Sequence, residues 1–289
     1  MEPNPSQFRL ARRLVAPSFL ALVLAGCGEQ PPEPKANVQT EAPPPPPRKL
    51  PAPDPVLSRG DLVGAASRAA SAYAGGETSE GTDPLVGRTF SIKIAFGCSG
   101  PAPAPAVSPD APAVGGASGL AGWSWGRDNK SIELRMTPGD WAGSALIAGS
   151  GDAPDWEAVE GFWMPRPWLA SDGCPNVRGD PLQTANTAAA PQTLGLAAIF
   201  EAGSSRIGRR NGRAYTFTIR PEDDAPLAPP ADGYRLILEG RIASYPDGRA
   251  IRCRAAGPDQ RPVCVVATKL DRVAFEGAEG KTLSEWRPG

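Results

Sequence analysis

Histidine is absent from all 289 residues, and this absence excludes more chemistry than any motif supplies. Without imidazole there is no Ser-His-Asp or Cys-His nucleophile system and no histidine metal ligand. Carboxylate-pair chemistry, Ser-Lys chemistry and oxygen-ligand cation sites remain open. Cysteine is scarce, five residues without a CxxC pair, so a thiolate zinc site lacks its usual spacing. No apolar run approaches the length of about 20 residues that a membrane-spanning helix needs. An excess of one charge is missing too. Thirty basic residues stand against 31 acidic ones, which leaves no electrostatic footprint for nucleic acid and no polybasic arm for a membrane surface.

What the chain does have begins at its first arginines. Arg9, Arg12 and Arg13 precede the apolar stretch Leu14 to Ala25, which closes in Leu24-Ala25-Gly26-Cys27. A basic flank, an apolar core of about 7–15 residues and small residues at the cut are the parts of a secretory signal. The stretch resembles a bacterial lipoprotein signal peptide with its lipobox, despite Pro17 inside the core and Glu2 in the flank. The resemblance implies that residues 1–26 are removed and that Cys27 becomes the lipidated first residue. Two or more acyl chains anchor a protein stably where one does not. Gly28 stands where an aspartate retains related lipoproteins at the inner membrane, so the resemblance implies an outer-membrane anchor facing the periplasm. Arg12-Arg13 bears a weaker likeness to a twin-arginine export signal.

The first 26 residues hold three of the basic and one of the acidic residues, so the remaining 263 carry 27 against 30 and a formal charge of −3. With Cys27 assigned to lipid, four cysteines are left, an even number that suits disulfides in an oxidising compartment. Four cysteines allow three connectivities. Cys253 and Cys264 flank a turn-rich loop between two apolar runs, so the favoured pairing is Cys253–Cys264 with Cys98–Cys174 closing a longer loop. On the chain-entropy model each bridge contributes about 3–4.5 kcal/mol.

Residues 27–57 include the five-proline run Pro43–Pro47 and almost no apolar residue except alanine. They read as an extended polyproline tether. A short helix is expected over 58–75, with an apolar stripe of Leu62, Val63, Ala66, Ala69, Ala70 and Tyr73, a cap at Ser58 or Asp61 and a stop at Gly75-Gly76. From residue 85 to 289 the periodicity shifts to two. Phe90 to Phe96 alternate as a strand, and Trp123-Trp125 and Ile132-Leu134-Met136 form a hairpin. Trp141–Ala148 and Glu157–Trp163 follow as further strands. Thr193–Glu201 and Arg213–Arg220 read as a second hairpin around a basic tip, and Tyr234–Ala243, Ala250–Arg254, Val263–Thr268 and Leu270–Phe275 complete about ten strands. The pattern is a mainly β, antiparallel sandwich or barrel-like domain.

Three stretches carry side chains suited to chemistry. Trp163, Arg166 and Trp168, stiffened by Pro165 and Pro167, suit a glycan ring or a peptide partner; the plainer reading is that both indoles face the core with Arg166 over one. Asp140, Glu157, Glu160 and Asp172 lie near tryptophans, and a glycosidase needs two such carboxylates across a cleft. Arg206, Arg209, Arg210 and Arg213 share one turn and suit an anionic head group or acidic partner, or simply solvent. Glu222, Asp223 and Asp224 lack the spaced oxygen ligands of a calcium loop. No cofactor motif is present. The reading is a lipid-anchored envelope protein with a non-catalytic binding or structural role; a carboxylate-based enzyme acting on glycans, or an accessory subunit of an outer-membrane assembly, are the alternatives.

Overall fold

The computed structural model describes residues 54–77, 81–98, 100–102, 119–148, 156–164, 172–174, 194–203, 208–221, 226–255, 257 and 259–287, all within the compact unit Ala52–Gly289. Cys27, the tether up to residue 53, Arg166, Trp168, Arg206, Glu222, Asp223 and Asp224 lie outside these residues.

Helix α1 (Arg59–Gly75) begins where a side-chain acceptor is available for its first free N–H groups. Ser58 accepts from the Asp61 amide, and Asp61 Oδ2 accepts from the Ser58 amide at 2.8 Å, a reciprocal capping box. Gly76, with φ at +68°, ends it in the left-handed conformation that glycine adopts without strain. Leu62, Ala65 and Ala66 are buried, while Tyr73 at the far end of the expected stripe is 46 % exposed. The tether stops short of residue 57. Leu57 is buried, donates its amide to the Thr89 carbonyl and accepts from the Ser91 amide. Asp83 likewise belongs to the domain, its carboxylate accepting from the Leu85 and Ala250 amides.

Eleven strands among the described residues form two sheets. The larger contains β1 (Thr89–Phe96), β4 (Gly139–Asp140), β5 (Trp156–Met164), β6 (Leu194–Glu201), β8 (Tyr234–Ile242), β9 (Ile251–Arg254), β10 (Val263–Glu276) and β11 (Thr282–Trp286). The smaller contains β2 (Ala121–Trp125), β3 (Ile132–Met136) and β7 (Tyr215–Ile219). Strand β10 organises the larger sheet. Its first half lies between β6 and β9, its second between β8 and β11. The change of neighbours coincides with a register shift between Leu270 and Arg272, opposite Gly240, where a Cβ would meet the Lys269 carbonyl at 2.1 Å. Alternating residues of both sheets, from Phe162, Leu196, Leu236, Val266 and Phe275 to Leu134, Met136 and Tyr215, meet in one core with Leu62 and Ala66 of α1. The domain is sandwich-like and mainly β.

Four sequence expectations are corrected. Thr193–Glu201 and Arg213–Arg220 do not pair as a hairpin: β6 joins β5 and β10, while β7 joins β3 in the other sheet. Trp141–Ala148 is not a strand; after the two residues of β4 the chain turns into a one-turn helix α2 (Ala145–Ala148). Val263–Thr268 and Leu270–Phe275 are one strand. The sheets are not wholly antiparallel, because β6 and β10 run parallel, and the tail adds β11. Both expected disulfides are formed, Cys98–Cys174 and Cys253–Cys264.

Candidate functional site

The strand period of two gives β5, β6, β9 and β10 a second face, turned away from the main core. On β9 and β10, Cys253 faces Cys264 and Ile251 faces Val266 toward the main core, so the alternate pairs Arg254–Val263 and Arg252–Val265 line the outer face. Val159 and Trp163 of β5, and Ala197 and Ile199 of β6, continue that face. Ile147 of α2 and Tyr245 cover part of it and form a separate, smaller apolar cluster.

Two glycines shape the face. Gly161 and Gly195 remove side chains from two neighbouring strands, and the Trp141 indole lies in the space left. A Cβ at Gly161 would come within 1.9 Å of Trp141, and one at Gly195 within 2.7 Å. Glycine within a strand marks such close approaches. Trp163 stands beside Trp141 with ring centroids 4.5 Å apart and planes tilted by 52°. Both are half-buried. Together with Ser144, Leu146, Ile147, Ala255, Val263 and Val265 they wall a depression of about 280 Å³, with Arg254 at its rim.

The two arginines of this face differ in employment. The Arg252 guanidinium lies 4.5 Å over the Tyr245 ring, pairs with Asp247 at 3.1 Å and donates to the Ile147 carbonyl. Burial pushes the Tyr245 hydroxyl up from its ordinary pKa; it donates to the Val265 carbonyl and stays neutral. Arg254 is exposed and makes no ion pair or side-chain hydrogen bond among the described residues. Among the described residues the lining holds no carboxylate.

Of the sequence-derived candidates, Trp163 is in this depression, beside Trp141; Arg166 and Trp168 lie outside the described residues. Asp140 and Glu160 are brought directly opposite one another on β4 and β5. They do not flank a cleft. Glu160 is 6 % exposed and its Oε1 accepts from the amides of Arg210 at 2.6 Å and Asn211 at 2.9 Å, while Asp140 Oδ1 accepts from the Ala142 amide. Burial raises the Glu160 pKa in spite of those two donors and the charges of Arg209 and Arg210. Glu157 pairs with Arg209 at 3.1 Å. Asp172 is exposed, and its carbonyl accepts from Arg235. The basic turn is correspondingly occupied: Arg210 lies 4.6 Å over the Tyr215 ring and donates to the carbonyls of Arg213 and Ala214, and Arg213 donates back to the Arg210 carbonyl.

Trp141, Arg254, Gly161 and Gly195 were not singled out from the sequence. The two glycines interrupting apolar strands were the available signal. Among the described residues there is no cluster of three or more potential metal ligands and no helix long and apolar enough to cross a membrane. The chain matches no known protein family, no curated protein and no solved structure.

Proposed function

We propose that the protein is a lipid-anchored component of the bacterial envelope, held through acyl chains on Cys27, whose β domain is a non-catalytic binding module. The observation that carries the binding reading is the depression beside Trp141 and Trp163. Its walls are apolar and preformed by packing on Gly161 and Gly195, the usual character of a small-ligand site. Among the described residues of the lining there is no carboxylate and no lysine beside Ser144, which favours binding over a carboxylate-based reaction on a glycan. The lipobox and the paired cysteines support an exported, membrane-tethered setting.

The neutral apolar dye N-phenyl-1-naphthylamine tests the site. The protein should bind one molecule, with energy transfer from the neighbouring indoles. Val263→Phe, which places a larger side chain in the depression on a strand that tolerates aromatics, should weaken binding at least tenfold. Absence of saturable binding, or equal binding by Val263→Phe, removes the binding reading.

A further inference from the structure

We infer that the depression takes a single-chain anionic amphiphile, an apolar tail of about ten carbon atoms ending in one carboxylate or phosphate. This rests on the binding reading above and adds the ligand's charge and shape.

Size limits the tail. A cavity of about 150 Å³ suffices for benzene, and this depression holds about 280 Å³. One short chain fits, and a folded peptide does not. Lining chemistry decides polarity. Apart from the Ser144 hydroxyl and the Arg254 guanidinium, every described lining group is an aliphatic side chain or an indole. A sugar would bring several hydroxyls against Leu146, Ile147 and Val263, and each one buried without a hydrogen-bond partner is penalised. The indoles also pack against each other, centroids 4.5 Å apart and planes tilted by 52°, which leaves no single flat platform of the kind a sugar ring requires. An alkyl tail meets none of these penalties.

The rim supplies the sign. Arg252 and Arg254 lie two residues apart on the same face of β9. The first is already engaged by Tyr245, Asp247 and the Ile147 carbonyl. The second stands opposite Val263 across the ladder and, among the described residues, has no partner and shares the lining with no acidic group. A permanently charged planar guanidinium beside an apolar slot suits a carboxylate or phosphate that accepts two hydrogen bonds at once. Ser144 Oγ accepts from the Leu146 amide at 3.3 Å, so its own proton remains available to the head group.

Displacement of bound N-phenyl-1-naphthylamine from the folded domain by decanoate, decyl phosphate and decanol separates the terms. At least one anionic competitor should act tenfold or more tightly than decanol. Arg254→Gln should erase that preference while leaving decanol unchanged, and Arg254→Lys should keep part of it. Which of the two anions is preferred distinguishes a fatty-acid source from a phospholipid one. Equal competition by decanol, or an anion preference that survives Arg254→Gln, overturns the inference and leaves the binding module intact. Failure of the dye itself to bind removes both.

Discussion

At the scale of single residues, the site depends on what is missing at Gly161 and Gly195. Trp141 comes from a turn outside the strands, and the bare backbone of β5 and β6 at these two glycines gives its indole a seat beside Trp163. Gly161→Ala would press a methyl group into the ring. The expected outcome is a loss of about 1–3 kcal/mol in urea unfolding, together with loss of dye binding because Trp141 is displaced from the wall. Unchanged stability and unchanged dye affinity would show that the indole sits elsewhere. Residue-level legibility followed local chemistry. The Ser58–Asp61 cap and the Cys253–Cys264 pairing were readable, because each depends on neighbours along the chain or on the flanks of one turn; Cys98–Cys174, 76 residues apart, followed as the pair that remained. Trp163 was identified without its neighbour Trp141, which is 22 positions earlier and reaches it by packing across strands, a contact no linear spacing records.

At the scale of elements, the crossover between sheets is the feature that alternation could not show. Strands β6 and β7 are consecutive and similarly patterned, so pairing them was the simplest expectation, since sequential strands usually neighbour one another. Instead, Glu157 and Glu160 of β5 hold the intervening turn by Arg209 and by the amides of Arg210 and Asn211, and the chain passes into the smaller sheet. The carboxylates thus hold a turn in place. Both amides use the same oxygen of Glu160, so a glutamine, or a protonated carboxyl, keeps both bonds through its carbonyl oxygen. Because the folded pKa is raised, Glu160 costs stability above that value. The cost is relieved as pH falls through the folded pKa toward the unfolded one, near 4.3. Glu160→Gln should therefore match or exceed the wild type in stability at neutral pH, and the difference should shrink as pH is lowered through that window. Chemical denaturation at several pH values reads it. A glutamine variant that is least stable at neutral pH, relative to wild type, would instead show that the charge itself holds the turn. Strand β10 taught the same lesson in another way. Its two apolar runs were visible, but the bulge opposite Gly240 that joins them into one strand was not, because a bulge shifts the alternation that reveals a strand.

For the whole molecule, the mainly β class was legible from periodicity alone. The parallel pairing of β6 with β10 was not, because it joins strands more than 60 residues apart in the chain. The proposed address rests on Arg9 to Cys27, the proposed occupation on a depression lined by β5, β9, β10, α2 and the turn that carries Trp141. They meet in one proposition, that a lipid-held binding domain faces the periplasm. Two disulfides in the domain fit that compartment. The most direct test is the intact mass of the full-length gene product recovered from the membrane fraction of a bacterial host. The expected species begins at Cys27, lacks residues 1–26, and carries a diacylglyceryl group on the thiol with a further acyl chain on the amine. A chain that retains Met1, or one that starts at an unmodified Cys27, would contradict the account.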